Sequence, residues 1–262
     1  MKSPLLYILE VLFCSGLLLA FYRLLLVRKV SFRACRRYLV AAVFLSAVIP
    51  ALDIPLYPAR TVVYPLPLIA APPAENFVQT TGKLPAAGPV VPSGWRRILR
   101  PVAVGGYLTA VFLSLGFLAV RMVGIRRLRR RSRLTDCGAY TLAEHPQIAT
   151  PFSFLRTVFL GGGYEGRRRM IVLCHEAGHV RHRHSAERIA VELVRSLFWF
   201  NPFVWIAGRW LQEVHEWEAD RDVLDAGYDL TEYRTVIFHQ LFGHNPDIAC
   251  AVSYTHLRAH ET

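Results

Sequence analysis

Three apolar runs set the first limit on what this chain can fold into. Leu5 to Val27 reads LLYILEVLFCSGLLLAFYRLLLV, with Glu10 and Arg23 its only charges, and about 20 such residues suffice to cross a bilayer as a helix. A second run, YLVAAVFLSAVIPALDIPL, begins at Tyr38, and a third, PVAVGGYLTAVFLSLGFLAVRMVGI, occupies Pro101 to Ile125. Backbone in hydrocarbon must satisfy its own hydrogen bonds, so these runs are expected as helices. A cleaved leader would have a shorter apolar core and a small-residue cleavage site, so the first run is read as a span.

A hydrophobic share of 53% agrees with a membrane protein, and the net charge of +12 has to be located before it is interpreted. Basic residues gather in RKVSFRACRR, between the first two runs, and in RRLRRRSR, Arg126 to Arg133. Positive charge beside a span stays in the cytoplasm and meets anionic lipid. Both clusters therefore place the N-terminus and the segment from Pro55 to Trp95 outside, outvoting Arg96, Arg97 and Arg100 on the outer flank. No basic surface interleaved with aromatics and no DNA-reading motif accompanies the charge, so direct nucleic-acid binding is not expected. The outer segment is rich in Pro, Gly and Ala and reads as an extended loop. Cys14, Cys35, Cys137, Cys174 and Cys250 are scattered without a CxxC pair and imply no disulfide framework.

After Thr135 the composition becomes that of a globular domain. YTLAEH and RTVFLGG have the content of short strands. A helix is expected from Arg167 to Ser196 and another from Phe203 to Ala226, with Gly227 as its stop. The first contains LCHEAGHVRHRH, Leu173 to His184. His175 and His179 are four apart, so both imidazoles leave one helix face and can reach one ion, with Glu176 beside them. In this HExxH arrangement two histidines hold Zn²⁺ and the glutamate serves as general base.

HExxH alone is a modest signal, and a charged amphipathic helix with incidental histidines would also explain HVRHRH. The second helix decides against that: QEVHEWEADRDVL places Glu216 and Asp220 four apart on one face. Glu216 would complete a His₂Glu set, and Asp220 would accept the free N–H of a ligating histidine. Glu218 competes as a ligand but lies about 200° round the helix from Glu216. His215 is expected to face away and be structural. His182 and His184 are read as a solvated or lipid-facing basic end. Cys174 points about 100° from His175 and is disfavoured as a ligand.

HEAGHVRHRHSAER, then FWFNPFVWIAGRWLQEVHEWEADRDVL, the TPFSFLRTVFL segment ahead of them and the three preceding runs together resemble the BlaR/MecR-type membrane zinc metallopeptidases. This antirepressor-sensor family shares motifs with HtpX-type proteases. Position by position, the resemblance implies zinc bound by His175, His179 and Glu216, Glu176 as general base and Asp220 in support. It also implies a membrane-embedded gluzincin in a bacterial plasma membrane, with its catalytic domain facing the cytoplasm. Signalling members carry a further span and a sensor domain after the peptidase, and neither is visible here.

The expected fold is mainly α: a multi-pass helical membrane protein with a zincin-like metallopeptidase domain containing a small β element. Residues 1–55 are expected as a two-span hairpin, 56–100 as the Pro-rich loop, 101–125 as the third span and 126–250 as the peptidase domain. Residues 251–262, ending VSYTHLRAHET, resemble a translated sequencing adapter, so His256 and His260 are excluded from any site. SLFWFNPFVWIAG, Ser196 to Gly208, is too short to span and is expected at the membrane interface or inside the domain. The expected partners are membrane lipid and a protein or peptide substrate, a transcriptional repressor among the candidates, and a homo-oligomer is compatible with this reading. The rival readings are a housekeeping membrane protease and a non-enzymatic membrane scaffold.

Overall fold

Residues 4–27, 29–52 and 94–242 are described by a computed structural model. The Pro-rich segment, Cys250 and the tail with His256 and His260 lie outside the described residues. One unit comprises Met1–Ala51 with Ala110–Thr262, and a second comprises Leu52–Thr109.

The first apolar run forms α1, Pro4–Phe21, prolonged by a π-helical turn over Tyr22–Leu26. Leu5, Leu9, Phe13 and Leu17, each four apart, face outward, while Val11, Ser15, Leu19 and Tyr22 are buried. That is the pattern of a helix packing by one face only. The second helix, α2, spans Phe32–Val48 and opens one to two turns before the expected Tyr38. Ser31 is its N-cap and accepts from the Ala34 amide at 3.4 Å, satisfying one of the helix's orphan donors. Arg33, Arg36 and Arg37 are therefore helical rather than part of a loop, and Arg36 is turned inward and buried. The third run lies in α3, Gly94–Arg131, longer at both ends than Pro101 to Ile125. Pro4–Leu26, Phe32–Ala51 and Pro101–Arg131 are each long and apolar enough to cross a membrane.

The strands expected from YTLAEH and RTVFLGG are present within a sheet of β1 (Arg133–Asp136), β2 (Thr141–Glu144), β3 (Phe152–Phe154) and β4 (Thr157–Leu160). The order is β1-β2-β4-β3, with β2 and β4 parallel and the outer pairs antiparallel. β1, exposed along its whole length, and β3, only three residues long, carry no pattern that can be read from sequence. β3 ends at the edge of the sheet.

The single helix expected from Arg167 to Ser196 is two: α4, Gly166–Arg181, and α5, His184–Leu197. Arg183 sits in the left-handed region at φ 59°, while the His182 amide still donates to the Gly178 carbonyl at 3.0 Å. A helix cannot continue through a left-handed residue, so the chain turns and His184 starts a new helix. The polar pattern runs smoothly across this turn, which conceals it in the sequence. The next helix, α6, spans Pro202–Asp225; Asn201 caps it, accepting from the Phe203 amide at 2.9 Å. Gly227 follows at φ +86° and stops it as expected. Leu230–Phe242 forms α7.

Two apolar clusters flank α6. Leu39 and Val43 of α2 meet Val191 of α5 and Val204 and Leu211 of α6. Val158 and Leu160 of β4 meet Ile171 of α4, Val223 of α6 and Tyr233 of α7. Each such buried side chain contributes roughly 1.5–3 kcal/mol, so α6 is clamped between the hairpin and the sheet. The close approach of α4 and α6 depends on Gly178: a Cβ there would stand 2.9 Å from Asp222 Oδ2 and 3.4 Å from Ala219 Cα. Gly178→Val is expected to force the two helices apart and destabilise the protein by about 1–3 kcal/mol. Thermal unfolding of the purified variant checks this, and an unchanged midpoint would show that the crossing tolerates a side chain.

Candidate metal centre

Helix α4 supplies His175, Glu176 and His179, and α6 supplies Glu216 and Asp220. The Nε2 atoms of His175 and His179 are 3.2 Å apart. Glu216 Oε2 stands 3.4 Å from His175 Nε2 and 3.6 Å from His179 Nε2. Tetrahedral zinc ligands at about 2.0–2.1 Å from the ion lie roughly 3.4 Å from one another. The triangle thus has the size of one face of such a tetrahedron, and its two imidazoles and one carboxylate suit a borderline ion such as zinc. Among the described residues no other group of three His, Cys, Asp or Glu meets so closely.

The far side of each imidazole is occupied. His175 Nδ1 lies 2.8 Å from the Tyr233 hydroxyl and 3.3 Å from Asp220 Oδ1, and Tyr233 in turn donates to Asp220. His179 Nδ1 lies 2.8 Å from His184 Nδ1. These contacts take up both Nδ1 positions and leave both Nε2 positions facing Glu216, the orientation a shared ion requires.

Charge follows the same layout. Burial opposes protonation of His175, but the Asp220 and Glu216 carboxylates outweigh it and raise its pKa to about 10. Burial works against ionised Glu216 as well, yet His175 and His179 hold its pKa well below the usual carboxylate range. The imidazoles and the carboxylate of the triangle thus favour each other's charged forms. Burial pushes Glu176 upward, and the neighbouring His175 and His179 and a hydrogen bond with Ser153 only partly counter it. Glu176 lines the same cavity of about 200 Å³, with Phe152 and Ser153 of β3 and Arg188 and Gln212 beside it. A carboxylate desolvated in this way has the raised basicity that proton transfer needs. A larger opening of about 600 Å³ lies across α4 between Tyr140, Leu155, Arg156 and Arg181, but it holds no ligand triangle.

His184 is 2% exposed and His182 is largely buried, so neither forms the solvated or lipid-facing end expected of HVRHRH. The turn at Arg183 is the reason, because it directs His184 back under His179. Burial, reinforced by His215, His179 and Arg36, lowers the His184 pKa far below that of a free imidazole. His182 Nε2 pairs with Asp222 Oδ2 at 2.9 Å. His215 lines the same cavity but takes no part in the triangle, bonding Glu187 Oε2 at 2.9 Å and stacking on His184 at 4.0 Å, so the expectation that it faces away is not met. Glu218 turns away, to Arg36 Nη1 at 2.7 Å, and Cys174 Sγ reaches only the Asp222 carbonyl, at 3.9 Å. Sequence reading missed Tyr233 and Ser153 altogether, because each enters from an element with no motif of its own. His184 was visible, but its direction was not.

A family model described as BlaR1 peptidase M56 matches residues 11–262 of this chain. No curated protein matches it significantly.

Tyr233→Phe removes the hydroxyl that joins His175 to Asp220 while keeping the ring. A divalent ion added to the variant is expected to bind at the triangle about 10-fold more weakly than to the wild type, the lower end of the effect of losing such a partner. Chelator competition measures this, and wild-type affinity would show that Asp220 holds His175 unaided.

Proposed function

The chain belongs to the BlaR1 peptidase M56 family, and we propose that it is a zinc-dependent endopeptidase embedded in a bacterial plasma membrane, with His175, His179 and Glu216 as metal ligands and Glu176 as general base. The observation that carries this reading is the triangle of His175 Nε2, His179 Nε2 and Glu216 Oε2, with buried Glu176 lining the same cavity. Zinc bound there would polarise a carbonyl and acidify water.

The chain's own groups supply the rest. Glu176 takes a proton from the attacking water and later gives it to the leaving amine, and its desolvation raises its basicity toward that task. Asp220 and Tyr233 hold His175 in the tautomer whose Nε2 is free, and His184 does the same for His179. An extended substrate has a place to lie: β3 is an edge strand, and its Phe152 and Ser153 line the cavity. An edge offers unpaired backbone groups to a peptide in extended form, which favours a polypeptide substrate over a small amide.

Three helices apolar enough to span support the membrane location. Basic residues at the end of α3 favour a peptidase facing the cytoplasm. Arg36 drops out of that charge count because it is buried among carboxylates, but Lys29, Arg33 and Arg37 remain beside the hairpin turn. Trp199 and Trp205 are exposed where Phe203 turns inward, which suits an aromatic contact at the lipid boundary close to the site. Cleavage of a cytoplasmic regulator, a transcriptional repressor among the candidates, is the role we favour.

Wild-type protein in detergent is expected to carry about one zinc per chain, and Glu216→Ala to lose most of it, by elemental analysis. Glu176→Gln is expected to keep its zinc and to lose cleavage of quenched fluorescent peptides by about 10²-fold or more. Turnover retained by Glu176→Gln would remove it from the role of base.

A further inference from the structure

The residues behind His179 lead back to the second apolar helix. With Nε2 of His179 in the ligand triangle, its other nitrogen carries the ring proton and donates to His184 Nδ1 at 2.8 Å. His184 can accept there only if its own proton is on Nε2, and that nitrogen lies 3.1 Å from Glu218 Oε2, which can only accept. The same oxygen receives a charge-assisted bond of 2.7 Å from Arg36 Nη1. Each bond thus fixes the direction of the next, from α2 through α6 and α5 to the metal ligand on α4.

Arg36 also steadies the surroundings of this relay. Its Nη1 donates to the His182 carbonyl at 3.2 Å, holding the turn between α4 and α5. Its Nε lies 3.4 Å from Glu187 Oε1, and Glu187 holds His215 flat against the His184 ring. One guanidinium therefore fixes His184 both at its edge and on its face. Apolar packing already joins the hairpin to α6, so attachment alone does not call for a charge that is only 11% exposed against a carboxylate that is 6% exposed. Such a pair is costly to desolvate, and a role in specifying geometry accounts for it here.

We propose that Arg36 is a positioning residue for the metal ligand His179, acting from the second apolar helix through Glu218 and His184; this rests on the zinc-peptidase reading above. Without Arg36, Glu218 keeps only the exposed Arg33, at 3.7 Å from its other oxygen, and loses the bond that holds Oε2 toward His184. His184 then loses the acceptor that sets its tautomer, and His179 loses its lock. Because linkage is reciprocal, a change that parts Arg36 from Glu218 weakens the hold on zinc, and zinc in turn favours the pairing of Arg36 with Glu218.

The test is zinc affinity of the full chain in detergent, read by competition with a chromogenic chelator beside the thermal midpoint of the metal-free protein. Arg36→Met is expected to raise the zinc dissociation constant about 10-fold. Arg36→Lys should recover most of that loss, because an ammonium still neutralises Glu218. Phe203→Ala is the control: its ring packs on Gly16 in the same hairpin–α6 contact, so it should lower the thermal midpoint and leave zinc affinity unchanged. Equal zinc affinity in wild type and Arg36→Met overturns the relay while leaving the peptidase reading intact, and so does an equal loss in the Phe203→Ala control. Should Arg36→Met not fold, Glu218→Gln, which weakens the acceptor of His184, carries the same expectation, and wild-type affinity there overturns the relay. A folded wild type that binds no zinc overturns the peptidase reading and the relay together.

Discussion

Everything at the centre of this protein depends on how closely α4 and α6 cross at Gly178. Three potential ligands come from two helices far apart in sequence, and their atoms must meet within an ångström or so of the spacing an ion dictates. The absent side chain at Gly178, facing Asp222 and Ala219, permits that approach. The hairpin on one flank of α6 and the sheet on the other then hold it. Protein interiors resist small displacements because they are close-packed, so the triangle is set by the core around it.

The buried polar side chains show a second constraint. Arg36, Glu218, His184 and His215 all lie among apolar groups, where unpaired charge would cost several kcal/mol. Each of the four finds a partner: Arg36 with Glu218 and Glu187, His184 with Glu218 and His179, and His215 with Glu187. The imidazoles are driven toward neutrality by burial, Arg36 balances Glu218 and Glu187, and the exposed Arg33 approaches Glu218 as well. This network surrounds the candidate metal centre with fixed dipoles instead of mobile water, and it ties the domain to the helix that carries Arg36.

Much of this was legible from the residues. The apolar runs, the two short strands, α6 with its glycine stop and the His175, Glu176, His179 pattern follow from hydropathy, turn residues and helical spacing, all of them local. The choice of Glu216 over Glu218 also needed only helix geometry, and the two carboxylates do point to opposite sides, one to the histidines and one to Arg36. The division of the first motif helix at Arg183 was hidden because the polar pattern runs through it. The edge strand β3, only three residues long, carries no periodicity. Tyr233, more than fifty residues beyond His175 and His179, has no local mark of its role.

Sequence by itself determined which segments are apolar enough to cross a membrane and which residues share a helix face, because those properties repeat over a few residues of one chain. It also supplied the chemistry of the candidate ligands, since imidazole and carboxylate have fixed donor atoms. Only the tertiary structure decided which distant groups stand behind them: Tyr233 and Asp220 behind His175, and His184, Glu218 and Arg36 behind His179. The reason is that a hydrogen bond has a reach of about 3 Å and a direction, and no pattern within one element encodes where another element's side chain will arrive.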